Sequence, residues 1–170
     1  MEMLGLQGQV TIQLGDGNHL PYPHDHFYGA ICQHVTMNIE DRDRFFTEAY
    51  RVLKPGGFFV LTKHGLGPNG VPHHPLPWSE DGTNAYLKTP VETMIHLENA
   101  GFEGIEIVMT GLKYAETYYH AIGLMESKTA PIIGMHVLIG KGAVEKMRNA
   151  RRNTLEERTQ PAQIFCRKPL

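Results

Sequence analysis

Three groups of residues have the types and spacing to do chemistry. The first is Gly15-Asp16-Gly17, which follows the β-branched run of residues 10–14 (VTIQL). An aspartate between glycines is a turn signal, and it places a hydrogen-bond acceptor where the backbone bends. The second is His34, which closes the apolar run Phe27–Gln33. An imidazole titrates near neutrality, so it can act as a general base, or it can be a hydrogen-bonded structural residue; both readings stay open. The third is an aromatic set: Trp78 and Tyr86 in a long loop, and Tyr114, Tyr118, Tyr119 and His120 on a helical segment. Aromatics at helical spacing pack a core or line an acceptor pocket, and a cage of them suits a cationic or amine ligand.

Two other patterns carry less. Gly65-Leu66-Gly67-Pro68-Asn69-Gly70 matches a dinucleotide-loop spacing, but Pro68, Pro72, Pro75 and Pro77 forbid the helix such a loop must open. Of the ten histidines, His73 and His74 are adjacent, and His19, His24 and His26 share one turn region. Metal sites need three or four convergent ligands on rigid elements, so no metal is expected.

The elements that must position these groups follow from hydropathy. Residues 10–14 read as a strand entering a turn, and Leu20-Pro21-Tyr22-Pro23 interrupts regular structure. Phe27–Gln33 is apolar without alternation, as in a strand covered on both faces. Asp41 opens a helix carrying Phe45, Phe46, Ala49, Tyr50, Val52 and Leu53, which stops at Lys54-Pro55-Gly56-Gly57. Residues 58–62 (FFVLT) are the next strand, giving a βαβ unit and hence a parallel sheet with a right-handed crossover. Residues 65–81 form a long Gly-, Pro- and His-rich loop of the kind that serves as a lid. Thr89-Pro90 begins a helix ending at Ala100-Gly101, and Glu103–Met109 is a strand. Residues 112–125 and 137–155 are helical, and residues 162–166 are a last strand.

This arrangement is α/β: one domain over residues 1–170, with a two-helix insertion or cap at residues 112–158 before its final strand. Hydrophobic residues make up 41% and charged residues 20%, as in ordinary globular domains. A net charge of −2 argues against nucleic acid or an anionic membrane as partner, and Lys146, Arg148, Arg151 and Arg152 are flanked by Glu145, Glu156 and Glu157 as on a solvated helix face. Cys32 and Cys166 sit in apolar runs as small buried hydrophobes. Neither a signal peptide nor an apolar run of spanning length is evident, so a cytoplasmic protein is expected.

In this order and at these spacings, Gly15-Asp16-Gly17, Leu20-Pro21-Tyr22-Pro23, Phe27, Arg51-Val52-Leu53-Lys54-Pro55-Gly56-Gly57 and Glu98-Asn99-Ala100-Gly101-Phe102 resemble the class I S-adenosylmethionine-dependent methyltransferases, in their type 11 small-molecule branch. The resemblance implies a Rossmann-like sheet, mostly parallel with an antiparallel last strand, in the order 3-2-1-4-5-7-6. It implies S-adenosylmethionine as cofactor, with Asp16 accepting from the adenine amine and Gly15 and Gly17 letting the backbone approach the ring. Gln33 would line the methionine part, and His34, Asn38, Trp78 and Tyr118 would face a small-molecule acceptor, with His34 the catalytic candidate.

The family's first strand ends in a glycine-rich turn and its second in a ribose-binding acid, and this sequence contains neither. It therefore reads as a partial domain lacking the first two strands, with residues 1–6 as the end of the helix that follows them. The isolated chain is expected not to bind the cofactor at micromolar concentrations. The alternative is a catalytically inactive fold that acts through interactions alone. Loss of two strands leaves an edge of Phe27–Gln33 open, which points to a homodimer joined through residues 1–14 or 27–35.

Overall fold

The computed structural model describes residues 8–170. Its first strand, β1 (Phe27–Gln33), pairs in parallel with β2 (Leu53–Leu66), with Ile31 opposite Val60 and Cys32 opposite Leu61. Parallel neighbours need a crossover, and α1 (Arg42–Val52) supplies it. The Asp41 carboxylate accepts from the Arg44 N–H at 2.9 Å, satisfying one of the free donors of the first turn. Phe45, Phe46, Ala49 and Val52 then recur on the buried face.

Helix α2 (Pro90–Asn99) starts with a full capping box: the Thr89 side chain accepts from the Glu92 N–H, and the Glu92 carboxylate accepts from the Thr89 N–H. Then come β3 (Glu103–Met109), α3 (Gly111–Glu126), α4 (Met135–Ile139), α5 (Ala143–Leu155) and β4 (Thr159–Arg167). Strand β4 runs antiparallel to both β2 and β3, giving the order β1-β2-β4-β3. Strands β1, β2 and β3 therefore share one direction, and their C-terminal ends lie along one rim. This is the order and antiparallel strand that the resemblance implies for the second half of the sheet.

The core fills one face of the sheet. Cys32, Phe59, Leu61, Ile164 and Cys166 meet Phe45, Phe46 and Ala49 from α1, with Leu97 and Phe102 beside them. The phenylalanine, leucine and isoleucine side chains among them each contribute about 1.5–3 kcal/mol by leaving water. Both cysteines are free thiols, and burial pushes their pKa values up to about 11 and 12. The alternate residues face the other way. Ile31 is 67% exposed and Phe58 46%, so among the described residues this second face is open.

Several sequence expectations need correction. Residues 10–14 are irregular rather than a strand, with Leu14 98% exposed. β propensity cannot hold a strand without a neighbour for its backbone groups, and no described strand pairs there. The second inserted helix does not run unbroken from residue 137: Gly140 and Gly142, at φ 70° and 76°, divide it into α4 and α5. Strand β2 begins at Leu53, so the Lys54–Gly57 stop is also the strand's entry, turned by Gly56 at φ 75°. The helix expected for residues 1–6 lies outside the described residues. No described helix is long and apolar enough to cross a membrane.

Candidate functional site

The ends of β1 and β2 carry two histidines to one place. His34 follows the last residue of β1, and its N–H still donates to the Thr62 carbonyl at 2.9 Å, extending the ladder by one step. Its φ of 52° then turns the chain away from the sheet. His64 lies near the end of β2 and is buried. The two rings stand 5.5 Å apart between centroids.

Helix α3 and the loop close around them. Tyr114 and Tyr118, one turn apart on α3, share a face. The Tyr114 hydroxyl bonds His34 Nε2 at 2.8 Å, and the Tyr118 hydroxyl bonds His64 Nε2 at 3.2 Å. Trp78 stacks on His64 with centroids 4.4 Å apart. Burial holds both imidazoles below their ordinary pKa, His64 down to about 3 with His34 adding to the effect. Burial pushes both phenols the other way. All four groups are therefore neutral at pH 7.

The loop of residues 67–89 is fastened on two sides. Leu76 and Ser79 exchange backbone hydrogen bonds at 2.7 and 3.2 Å, a tight turn that presents Trp78. The Asn38 amide donates to the carbonyls of Trp78 and Asn84 at 3.2 and 3.1 Å, and Arg42 donates to the Tyr86 carbonyl. From α5, Asn149 donates to the Pro75 carbonyl at 3.1 Å, Asn153 bonds both backbone groups of His73, and Lys146 pairs with Glu80 at 2.8 Å. Lys63, fully buried beside His64, turns to the other side: its ammonium donates to the Lys88 carbonyl at 2.7 Å and to the Thr93 hydroxyl. Burial first, then Arg42, lowers its pKa to about 7.

The glycines of the apparent dinucleotide spacing serve this junction. A Cβ on Gly67 would stand 1.9 Å from the Glu157 carbonyl oxygen, so β2 and the turn before β4 pass closer than any other residue allows.

The Asp16 turn is positioned by α1. The Asp16 carboxylate accepts from the Asn18 N–H at 2.9 Å and meets His19 Nδ1 at 3.2 Å, which together lower its pKa, the backbone bond foremost. Arg44 donates to the Asn18 carbonyl at 3.0 Å, and Glu48 accepts from the Leu20 N–H at 2.9 Å. Gly17 lies against Phe45, whose Cε2 would be 2.6 Å from an added Cβ; Gly15 faces open space. Asp16 remains 61% exposed in its side chain, and Gln33 is exposed at the end of the edge strand.

Of the residues singled out by sequence, the structure thus joins His34, Trp78 and Tyr118 in one cluster. It places Asn38 on the loop backbone, and Asp16 in a separate exposed turn. His64 was missed. Its signal was its position closing an apolar run, as His34 does, but Lys63 beside it made the run seem to end earlier.

The methyltransferase domain family matches residues 2–61, which contain the Asp16 turn, β1, α1 and the start of β2. The biotin biosynthesis bifunctional protein BioHC of Teredinibacter turnerae is 30% identical over 182 residues, covering 98% of this chain and 31% of that protein. These matches support a class I S-adenosylmethionine-dependent methyltransferase, the family model itself covering residues 2–61. Solved methyltransferase structures share its fold. Phosphoethanolamine N-methyltransferase 2 of Haemonchus contortus, solved with phosphomonomethylethanolamine and S-adenosylhomocysteine, superposes with a TM-score of 0.76 at 19% identity, over 91% of this chain and 36% of that one. Geranyl diphosphate C-methyltransferase of Streptomyces coelicolor gives 0.73 at 15% identity, over 98% and 55%. At such identities the likeness is one of fold. The chain spans about a third of the length of BioHC and of the Haemonchus enzyme.

Proposed function

We propose that this chain supplies the adenine-side turn and the acceptor wall of an enzyme that moves a methyl group from S-adenosylmethionine to a small molecule. The convergence of His34, His64, Trp78, Tyr114 and Tyr118 supports this most, because four separate segments bring polar aromatic groups to the C-terminal rim of parallel strands. Ligands of open α/β sheets bind along that rim.

The residues fit the cofactor. Asp16 is ionised, exposed and anchored through Gly17, and a carboxylate with spare lone pairs suits adenine's amino donor. Gln33, open at the end of β1, is the candidate for the methionine side. When bound, S-adenosylmethionine supplies a methyl on a sulfonium, already an activated leaving group. What remains for the protein is alignment and proton removal. His34, neutral at pH 7 and steered by Tyr114, accepts a proton from an acceptor hydroxyl or amine. The loop excludes water, and Asn38 positions it through the Trp78 carbonyl.

Tritiated-methyl transfer tests the reading, using the chain alone and the chain extended by a glycine-rich strand-turn segment at its N-terminus. Transfer is expected from the extended protein and not from the chain alone. A second reading, a fold that acts through interaction only, draws on the open β1 edge and the exposed sheet face. Absence of transfer from a folded, cofactor-binding extended protein would favour it.

A further inference from the structure

An apolar tip joins α3 to α5, two helices that pack against each other. Five of the seven residues from Ile132 to Leu138 are large hydrophobics left in water: Ile132 is 94% exposed, Ile133 78% and Leu138 83%, with Met135 and Val137 more than half exposed. Surface hydrophobics are ordinarily scattered singly, and a contiguous group marks a docking site. The local sequence explains why these stay outside. Pro131 and Gly134 precede the short α4, and Gly140 and Gly142 follow it at φ 70° and 76°, so neither a strand nor a long helix carries the run back to the core.

The collar around the tip is basic. Residues 127–144 contain no aspartate or glutamate, and Lys128 and Lys141 stand exposed on either side of the run. Among the described residues neither ammonium pairs with a carboxylate, whereas the neighbouring Lys146 and Arg148 are taken by Glu80 and Glu126. The net charge of −2 describes the chain as a whole, and this corner carries the opposite sign.

That combination selects an occupant. A second copy meeting the tip head-on would set the same lysines against each other, with no carboxylate in the segment to answer them. Five side chains also make a small patch beside the roughly 800 Å² per partner of a stable protein interface. An anionic bilayer answers both features: its acyl boundary takes the apolar side chains and its headgroup phosphates take the lysines.

We propose that residues 128–141 dock this chain on an anionic lipid surface, with Ile132, Ile133 and Leu138 entering the interface and Lys128 and Lys141 at the headgroups. The tip is tied to the site through α3. The Thr129 N–H donates to the Leu124 carbonyl at 2.9 Å, at the C-terminal end of the helix that carries Tyr114 and Tyr118. Tyr114 and Leu124 are about 15 Å apart along that helix, so docking holds the aromatic cluster close to the lipid surface. The proposal is independent of methyl transfer, and the failure of either leaves the other standing.

The test sediments the chain with sucrose-loaded vesicles of phosphatidylcholine, with and without phosphatidylglycerol. The chain is expected to pellet with the anionic vesicles, at least ~10-fold more tightly than with phosphatidylcholine alone, and to be released as salt rises. The triple change Ile132→Ser, Ile133→Ser, Leu138→Ser and the double change Lys128→Glu, Lys141→Glu should each weaken that binding at least ~10-fold. Neither should move Tm, because the substituted side chains are exposed. Leu138→Cys carrying an environment-sensitive dye gives a second readout, since Cys32 and Cys166 are buried and escape the label. Its emission should shift to the blue on anionic vesicles. No pelleting with anionic vesicles, equal pelleting with both kinds, or an unshifted emission overturns the proposal. So does a serine variant that turns a dimer into a monomer, which would make the tip a contact between copies. The extended protein should pellet as the chain does; an added segment that abolishes binding would show the tip to be an internal surface and sink the idea.

Discussion

At the scale of residues, His34 and His64 form similar bonds and have opposite sensitivities. His34 stands at the open rim with its ring partly covered by His64 and Tyr114, and Tyr114 is its one side-chain hydrogen-bond partner. In the extended protein, His34→Ala should lower turnover at least ~10-fold and leave Tm within a few degrees, the pattern expected on losing a proton-handling group. A variant that unfolds while activity per folded molecule stays constant would make His34 structural. His64 instead bears on stability. Its folded pKa is about 3, against 6.5 for the free side chain. Between those values the unfolded chain binds a proton that the folded chain refuses. The stability is therefore fully present above about pH 6.5 and is lost as pH falls toward 3, at up to about 1.4 kcal/mol per pH unit. Urea unfolding of His64→Gln between about pH 6 and 4 should show a slope flatter by that amount; an unchanged slope would mean His64 titrates normally.

At the scale of elements, most of the topology was legible because helix and strand signals here are local. Asp41 and the Thr89-Pro90-Glu92 box mark helix starts, and they cap as sequence implies. The 10–14 run failed for the complementary reason: a strand's existence depends on a neighbour that its own residues do not encode. The site was half legible. His34, Trp78 and Tyr118 are the right types in the right elements, but the pairing of each histidine with one tyrosine depends on how α3 crosses the rim, which is a tertiary fact. Tyr119 shows the limit: it was grouped with Tyr118 by type, yet the helix turns it outward to 62% exposure. The Gly65–Gly70 spacing, read as a decoy, has its explanation in the approach to Glu157. Gly67→Ala should therefore cost at least ~2 kcal/mol in chemical denaturation, while Gly15→Ala, with open space around it, should stay within ~0.5 kcal/mol. Equal effects at the two positions would contradict this packing.

At the scale of the whole molecule, β1 is an edge strand and the sheet face bearing Ile31 and Phe58 is open among the described residues. Apolar edges of this kind recruit partners. The isolated chain should sediment as a dimer, with an interface through residues 1–14 or 27–35 burying more than ~1,000 Å². A monodisperse monomer at low micromolar concentration in analytical ultracentrifugation would contradict this. The central claim, that Asp16 and the end of β1 are the cofactor's side of the cleft, is tested most directly by an NMR titration of the chain with S-adenosylhomocysteine. On this reading Asp16 is the adenine-side acid, acting here without the glycine-rich turn, and each missing charged hydrogen bond weakens binding by about 1.5–3 kcal/mol. Binding should not saturate in the micromolar range, and at millimolar ligand the shifted amides should group at Gly15, Asp16 and Gly17 and at Gln33 and His34. Shifts that bypass both segments, or a low-micromolar dissociation constant, would contradict the account.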